Sequence, residues 1–110
     1  MLATRSRLSR HEDILAVLRG GQIYKTSVAK IYIKASEGGT TSRACVIVGK
    51  TVSKKAVTRH RYQRQLRQVA KKIITKSKGP IDVVIVATPA IAGVKTLRDI
   101  IDSVGRAGIL

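Results

Sequence analysis

The sequence predicts a single α+β domain in which elements of the order α-β-β-β-α-β-α place helices against one sheet. Three observations support this class. The 110 residues suffice for one hydrophobic core. Hydrophobic residues make up 44% and charged residues 25%, which is close to globular averages. Segments with helical spacing of apolar residues are separated by short β-branched runs. We assign residues 1–110 to this domain, with residues 1–8 as a basic N-terminal arm.

The first half of the chain is predicted to form one helix and three strands. Helical spacing over residues 10–19, ended by a glycine pair, indicates the first helix. Period-two alternation within residues 22–35 is typical of strands. A Gly-rich hairpin loop at 38–42 leads into a β-branched run over 43–52, which predicts a central strand. The apolar face of the first helix carries Ile14, Val17 and Leu18.

The second half is predicted to contain a long helix, a buried strand and a final helix. The long helix covers about residues 57–75, the strand residues 81–87, and an apolar stripe from Leu97 to Val104 marks the final helix. One side of the long helix is apolar, with Tyr62, Leu66, Val69, Ala70 and Ile73. The opposite side is basic, with His60, Arg64, Arg67 and Lys71.

The charge of the chain indicates a polyanionic partner. The net charge is +16, and the segment from Lys50 to Lys78 contains eleven basic residues and no acid. Like charges one helical turn apart repel each other, and a bound polyanion relieves that repulsion. We therefore expect nucleic-acid binding rather than a solvated charged face. A membrane surface fits less well, because the side opposite the basic stripe is needed for the core and lacks the Trp and Phe typical of interfacial helices.

Few residues in this sequence suit catalysis or metal binding. The six acids are scattered, and neither His11 nor His60 has an evident metal or nucleophile partner. The single cysteine, Cys45, lies in an apolar run and is predicted to be a small buried residue. We expect no catalytic residue, no bound metal or cofactor and no small-molecule substrate. No apolar run approaches the ~18 residues of a membrane span.

The order of several motifs resembles the protein subunit of bacterial-type ribonuclease P over essentially the whole chain. His11–Ile14 opens the pattern, and Val48–Lys55 follows with a Val-Ser-Lys-Lys strand end. Ala56–Arg67 then reads Ala-Val-x-Arg-x-Arg-x-x-Arg-x-x-Arg, and Ile81–Ala87 completes the order. The strand end followed by the arginine-rich helix is the most specific part of the resemblance.

Four features depart from the family pattern. His60 stands where the family has Asn between two arginines, and Gln63 stands where the family has Lys. The loop between Lys55 and Ala56 is shorter than usual. The chain has no phenylalanine, so Ile14 and Leu18 replace aromatic residues of the first helix. These departures leave the basic helix intact and reduce the aromatic surface.

The resemblance implies a ribonucleoprotein that removes the 5′ leader of precursor tRNA. In that family the RNA subunit carries the active site, where Mg²⁺ activates water, and the protein is an accessory subunit in the cytoplasm. The protein binds the ribonuclease P RNA through its basic helix and holds the single-stranded leader in a cleft between the sheet and the first helix. The resemblance also implies a ribosomal protein S5 domain 2-like fold with a left-handed βαβ crossover, against the usual handedness rule.

These roles give two sets of candidate residues. The RNA-subunit-binding set is Lys54, Lys55, Arg59, His60, Arg61, Arg64, Arg67 and Lys71. The leader-binding set is Ile14, Leu18, Lys30, Tyr32, Lys34 and Lys50. Tyr32 between two lysines suits base stacking with nearby phosphate contacts. The alternative is a ribosomal or other structural RNA-binding protein. A DNA-binding protein is less compatible, since no helix-turn-helix spacing is present.

Overall fold

The described part of the chain folds into a four-stranded sheet flanked by helices. In chain order the elements of this computed structural model are α1 (His11–Gly20), β1 (Gln22–Lys25), β2 (Ala29–Ala35), β3 (Arg43–Ile47), α2 (Ala56–Lys76), β4 (Ile81–Ala87) and a 3-10 helix (Pro89–Gly93). The structure describes residues 11–26, 28–35, 42–77, 79–93, 98 and 100–102. The predicted first helix, long helix and last strand are confirmed to within about one residue at each described end.

The strand order of the sheet is β1-β2-β4-β3. β2 is antiparallel to both β1 and β4, whereas β3 is parallel to β4. Because β4 lies between β2 and β3, the prediction of a hairpin linking those two strands is wrong. The parallel pair β3 and β4 is joined through α2, which is the βαβ connection that the family resemblance implies. Its left-handed sense stays a prediction.

β3 lies at the edge of the described sheet and ends at Ile47, so the predicted central strand over 43–52 is wrong in position and length. The chain turns after Val48, and the Val52 amide donates to the Gly49 carbonyl at 3.1 Å. The centre belongs to β4, whose residues are buried on both faces of the sheet. Both runs are rich in β-branched residues, so β propensity could not separate edge from centre.

α1 and α2 pack on opposite faces of the sheet. On one face, Leu66 and Tyr62 of α2 join the main core with Ile31 and Ile85. On the other face, Val17 of α1 forms a smaller cluster around Val84, the neighbour of Ile85 in β4. Alternate residues of each strand point to opposite faces, so one four-stranded sheet supports two separate apolar clusters.

The tight junction between α1 and the sheet depends on Gly21. Its amide donates to the Val17 carbonyl at 2.9 Å and closes the end of α1. A Cβ at this position would lie 2.6 Å from the Val17 carbonyl oxygen and 3.0 Å from that of Ile33. Only glycine fits this contact without a backbone shift.

The predicted final helix is described in part. Residues 98 and 100–102 are helical, and Ile100 is fully buried in the main core. Leu97 and Val104, the first and last apolar residues of the predicted stripe, lie outside the described residues, as does the basic arm at 1–8.

Candidate nucleic-acid interface

The sheet face beneath α1, here called the α1 face, combines apolar and basic side chains. Strand register places its residues in three rows across the sheet. The first row is Lys34, Asp82 and Arg43. The middle row is Ile23, Tyr32, Val84 and Cys45. The last row is Lys25, Lys30, Val86 and Ile47.

α1 covers the middle of this face. Val17 is fully buried against the sheet, whereas Ile14 and Leu18 remain half-buried at its sides. Tyr32 belongs to the same cluster and is also half-buried. The structure therefore brings together three residues of the predicted leader-binding cleft: Ile14, Leu18 and Tyr32. Part of the Tyr32 side chain is open to solvent.

The last row is the open part of the α1 face. Lys25 and Lys30 are exposed, and Ile47 retains 37% of its surface. Ile23, in the next row, is 51% exposed. An aliphatic surface beside lysines suits a base and its neighbouring phosphates. Ile23, Lys25 and Ile47 were not identified from the sequence, although period two from Tyr32 and the correct register would have found them.

Charge is distributed unevenly along the α1 face. Asp82 is 7% exposed and accepts two hydrogen bonds from Arg43, so the first row contains an ion pair. The last row carries two exposed lysines, and Lys50 follows Ile47 in the turn at the same end of the sheet. Lys34 reaches the C-terminus of α1, where its Nζ lies 3.8 Å from an ideal Cβ position on Gly20. A cation is favourable at a helix C-terminus.

The outer side of α2 gathers the basic residues that the helical angles predicted. His60, Arg64 and Arg67 border one open depression of about 430 Å³ together with Val57 and Gln63. Lys71 is exposed one turn further along, and Lys54 and Lys55 are exposed just before the helix. The first turn of α2 contains no acid. This side therefore presents cations and free helix amides to an anionic partner.

Arg59 has a second role that the sequence does not show. Its Nη1 donates to the Ser53 carbonyl at 2.9 Å and to the Lys54 carbonyl at 3.0 Å. The Lys55 amide in turn donates to the Ser53 hydroxyl at 3.2 Å. Arg59 thus ties the approach segment to the first turn of α2 and holds Lys54 and Lys55 in place.

Arg61 does not border the depression, although it lies one helical turn from both Val57 and Arg64. Its Cζ is 5.1 Å from the centroid of the Tyr62 ring, and its Nη2 donates to the Tyr62 hydroxyl at 3.4 Å. These contacts direct the guanidinium toward Tyr62. Arg59 and Arg61 therefore have partners within the protein, and the RNA contacts of both remain predictions.

The basic side of α2, which carries His60, Arg64, Arg67 and Lys71, is here called the α2 stripe. Since α2 packs against β3, this edge strand lies between α2 and the α1 face. Cys45 of the α1 face is half-buried, rather than fully buried as the sequence predicted. Burial raises the pKa of the Cys45 thiol, and the positive charge of Arg67 opposes that rise. The charge of Arg67 therefore acts on a residue of the α1 face from the other side of this edge strand.

The described residues contain no group of three His, Cys, Asp or Glu side chains arranged to hold a metal ion. Among the helices of this part of the chain, none is long and apolar enough to cross a membrane. Of the described carboxylates, Asp82 is paired with Arg43, and Asp102 is exposed.

Comparisons with known proteins agree with this geometry. The chain is 34% identical over 88 residues to the ribonuclease P protein component of a Pseudanabaena species, covering 80% of this chain and 76% of that protein. It is 30% identical to the Synechocystis ribonuclease P protein component over 94% of this chain and 86% of the other. The Staphylococcus aureus ribonuclease P protein structure has a TM-score of 0.77 at 19% identity, covering 93% of this chain and 91% of that one. The ribonuclease P family model matches residues 2–104, and the chain belongs to this family.

Proposed function

We propose that this chain is the accessory protein of a cytoplasmic ribonucleoprotein that removes the 5′ leader from precursor tRNA. The observation that carries the proposal is the presence of two different basic surfaces on either side of the edge strand β3. The α2 stripe offers charge without acid, which suits the backbone of a folded RNA. The α1 face offers a half-exposed tyrosine and aliphatic side chains beside lysines, which suits unpaired nucleotides.

In this proposal the two surfaces have different ligands. Arg64, Arg67 and Lys71 contact phosphates of the ribonuclease P RNA, with Lys54 and Lys55 held beside the start of α2. The leader of precursor tRNA crosses the α1 face between α1 and the open row. In this arrangement the leader path and the surface for the RNA subunit adjoin at β3, where the charge of Arg67 acts on the Cys45 thiol.

The chemical step belongs to the RNA subunit in this proposal. Mg²⁺ bound by that RNA activates the attacking water, and this chain places the leader and screens its phosphates. The described part of the protein has no acid cluster for a two-metal site, which supports this division of roles.

The test is a reconstitution with three arms: protein alone, RNA subunit alone and the two together. We expect cleavage of precursor tRNA at the mature 5′ end to require the RNA and to become more efficient with the protein. Cleavage at that position by RNA-free protein would contradict the proposal. RNA binding without any stimulation of cleavage would favour the alternative of a structural RNA-binding protein.

A further inference from the structure

We propose that the depression beside Val57 and His60 on α2 receives one unpaired nucleobase of the RNA subunit. This inference rests on the proposed function and adds to it a contact that reads a base rather than a phosphate. The predicted α2 interface consists of cations that neutralise phosphates. The depression adds an apolar and a planar side chain to that interface.

Val57 is the first observation. Its side chain is 81% exposed, although it stands in the first turn of a helix whose outward side is otherwise polar. The other large exposed apolar residues of the described chain, Ile23 and Ile47, both lie on the α1 face. Val57 is therefore a separate apolar contact point, on the side of α2 that carries the basic stripe.

The second observation is the composition of the depression. Its volume of about 430 Å³ is bordered by a valine, the imidazole of His60, the amide of Gln63 and two arginines. Unpaired bases in RNA complexes stack on planar side chains and pair their edges with amides, while arginines hold the adjoining phosphates. These five side chains supply each of those contacts within one patch of a single helix.

His60 and Gln63 distinguish the depression from a surface made of cations and an apolar residue alone. The planar ring of His60 and the neutral amide of Gln63 both border it. A site for phosphate alone would gain nothing from Val57, and it would not use the acceptor oxygen of the Gln63 amide. An unpaired base uses both, because it has an apolar face and a hydrogen-bonding edge.

Salt dependence separates a base contact from a phosphate contact. We would measure the affinity of the full chain for ribonuclease P RNA over a range of salt concentrations. His60→Ala should weaken binding by about fivefold or more, because a base stacked on a planar ring is worth ~1–3 kcal/mol. Val57→Ala should weaken binding by about threefold, through the apolar contact that it removes. The slope of log K against log[salt] should stay unchanged for Val57→Ala. Arg64→Ala should instead flatten the slope by about one.

Two further variants control this measurement. Thr75→Ala removes an exposed side chain about two turns beyond Arg67, the last residue of α2 that borders the depression, and should leave affinity unchanged. His60→Phe keeps a planar ring and should retain most of the affinity that His60→Ala loses. The inference is overturned if Val57→Ala binds like Thr75→Ala, or if His60→Phe loses as much as His60→Ala. If the unmodified chain shows no salt-dependent RNA binding at all, that result contradicts the proposed function instead.

Cross-linking identifies the occupant. A benzophenone attached to Val57→Cys, in a Cys45→Ala background, should react in the reconstituted holoenzyme with one unpaired nucleotide of the RNA subunit. Cross-links to the precursor leader, or cross-links spread along duplex RNA, would overturn the inference. The same label at Thr75→Cys, about two turns beyond the depression, provides the control position.

Discussion

Asp82 and Arg43 form a bidentate ion pair that joins β4 to β3 on the α1 face. The Arg43 Nε lies 3.1 Å from Asp82 Oδ1, and Nη2 lies 2.9 Å from Oδ2. The carboxylate is almost completely buried, whereas the Arg43 side chain is about one-third exposed. The pair therefore binds the edge strand to the centre of the sheet and cancels charge at one end of the proposed leader path.

Removing Arg43 should destabilise the fold. Arg43→Ala leaves a buried carboxylate without its partner, so we expect the free energy of unfolding to fall by about 1–3 kcal/mol. Urea denaturation measures this change, with Lys72→Ala as an exposed control. The double variant Arg43→Ala/Asp82→Ala should lose less than the sum of the single variants. Equal stability of Arg43→Ala and the control would contradict the structural role of the pair.

Gly21 should tolerate no side chain. Gly21→Ala places a Cβ against two carbonyl oxygens at the end of α1, so the helix must move away from β2. Overpacking of this kind costs about 1–3 kcal/mol, which thermal unfolding would detect. Gly79→Ala is the matched control, because nothing lies within 4 Å of its Cβ position. A similar melting temperature for both variants would argue against the close approach of α1 to the sheet.

Local patterns predicted the helices and β4 well, because the helices carry apolar residues at helical spacing and β4 is a short apolar run that follows a Gly-Pro turn. The long basic and apolar sides of α2 are visible in the sequence alone. The order of the strands is a tertiary property, and β3 resembles β4 in composition. The prediction of β3 as a central strand therefore failed, and so did the hairpin between β2 and β3.

The sequence likewise predicted part of the candidate site and missed the contacts that depend on tertiary structure. Helical angles grouped His60, Arg64 and Arg67 correctly, and the cluster of Ile14, Leu18 and Tyr32 forms beneath α1. The engagement of Arg59 with backbone carbonyls depends on how the loop before α2 folds back, which no spacing rule encodes. The exposure of Ile23 and Ile47 depends on how far α1 extends over the sheet.

The cations of α2 should differ in what they contribute to RNA binding. If about six to eight phosphates are neutralised, log K against log[salt] should have a slope of roughly −4 to −7. Arg64→Ala should flatten that slope by about one without loss of stability. Arg61→Ala should flatten it by a similar amount and also lose the contact with the Tyr62 ring. Arg59→Ala should also lower the melting temperature, because it releases the Ser53 and Lys54 carbonyls. A slope near zero for the unmodified protein would remove the phosphate-contact model.

The thiol of Cys45 reports on the junction at β3. Burial raises its pKa and the positive charge of Arg67 lowers it, so Arg67→Gln should raise the pKa further. The thiolate is the reactive form, and alkylation by iodoacetamide at a given pH should therefore slow down. The pH profile of the alkylation rate measures the shift, with Arg64→Gln as the control. Identical profiles for both variants would place Arg67 too far from the α1 face to link the two surfaces.

Tyr32 is the proposed stacking residue of the leader path, and it also packs beneath α1. Tyr32→Ala removes both contributions, so it should weaken leader binding and reduce stability. Tyr32→Leu fills the apolar cluster without a ring and isolates the stacking contribution. We expect Tyr32→Leu to weaken holoenzyme binding of precursor tRNA by ~1–3 kcal/mol, the usual loss per stacked base. Affinity for mature tRNA, which lacks the leader, should be almost unchanged.

Comparing the two tRNAs separates stacking from packing. A loss confined to precursor tRNA, with a nearly unchanged melting temperature for Tyr32→Leu, assigns the ring to the leader. Equal losses for both tRNAs would mean that Tyr32 acts through the position of α1 rather than through a leader base. Tyr32 is the one aromatic ring among the described residues of the α1 face, because the chain has no phenylalanine and the other exposed side chains of this face are aliphatic or lysine. A null result for Tyr32→Leu would leave Ile23, Ile47 and the lysines as the whole of the leader contact, and binding would then depend on salt rather than on base identity.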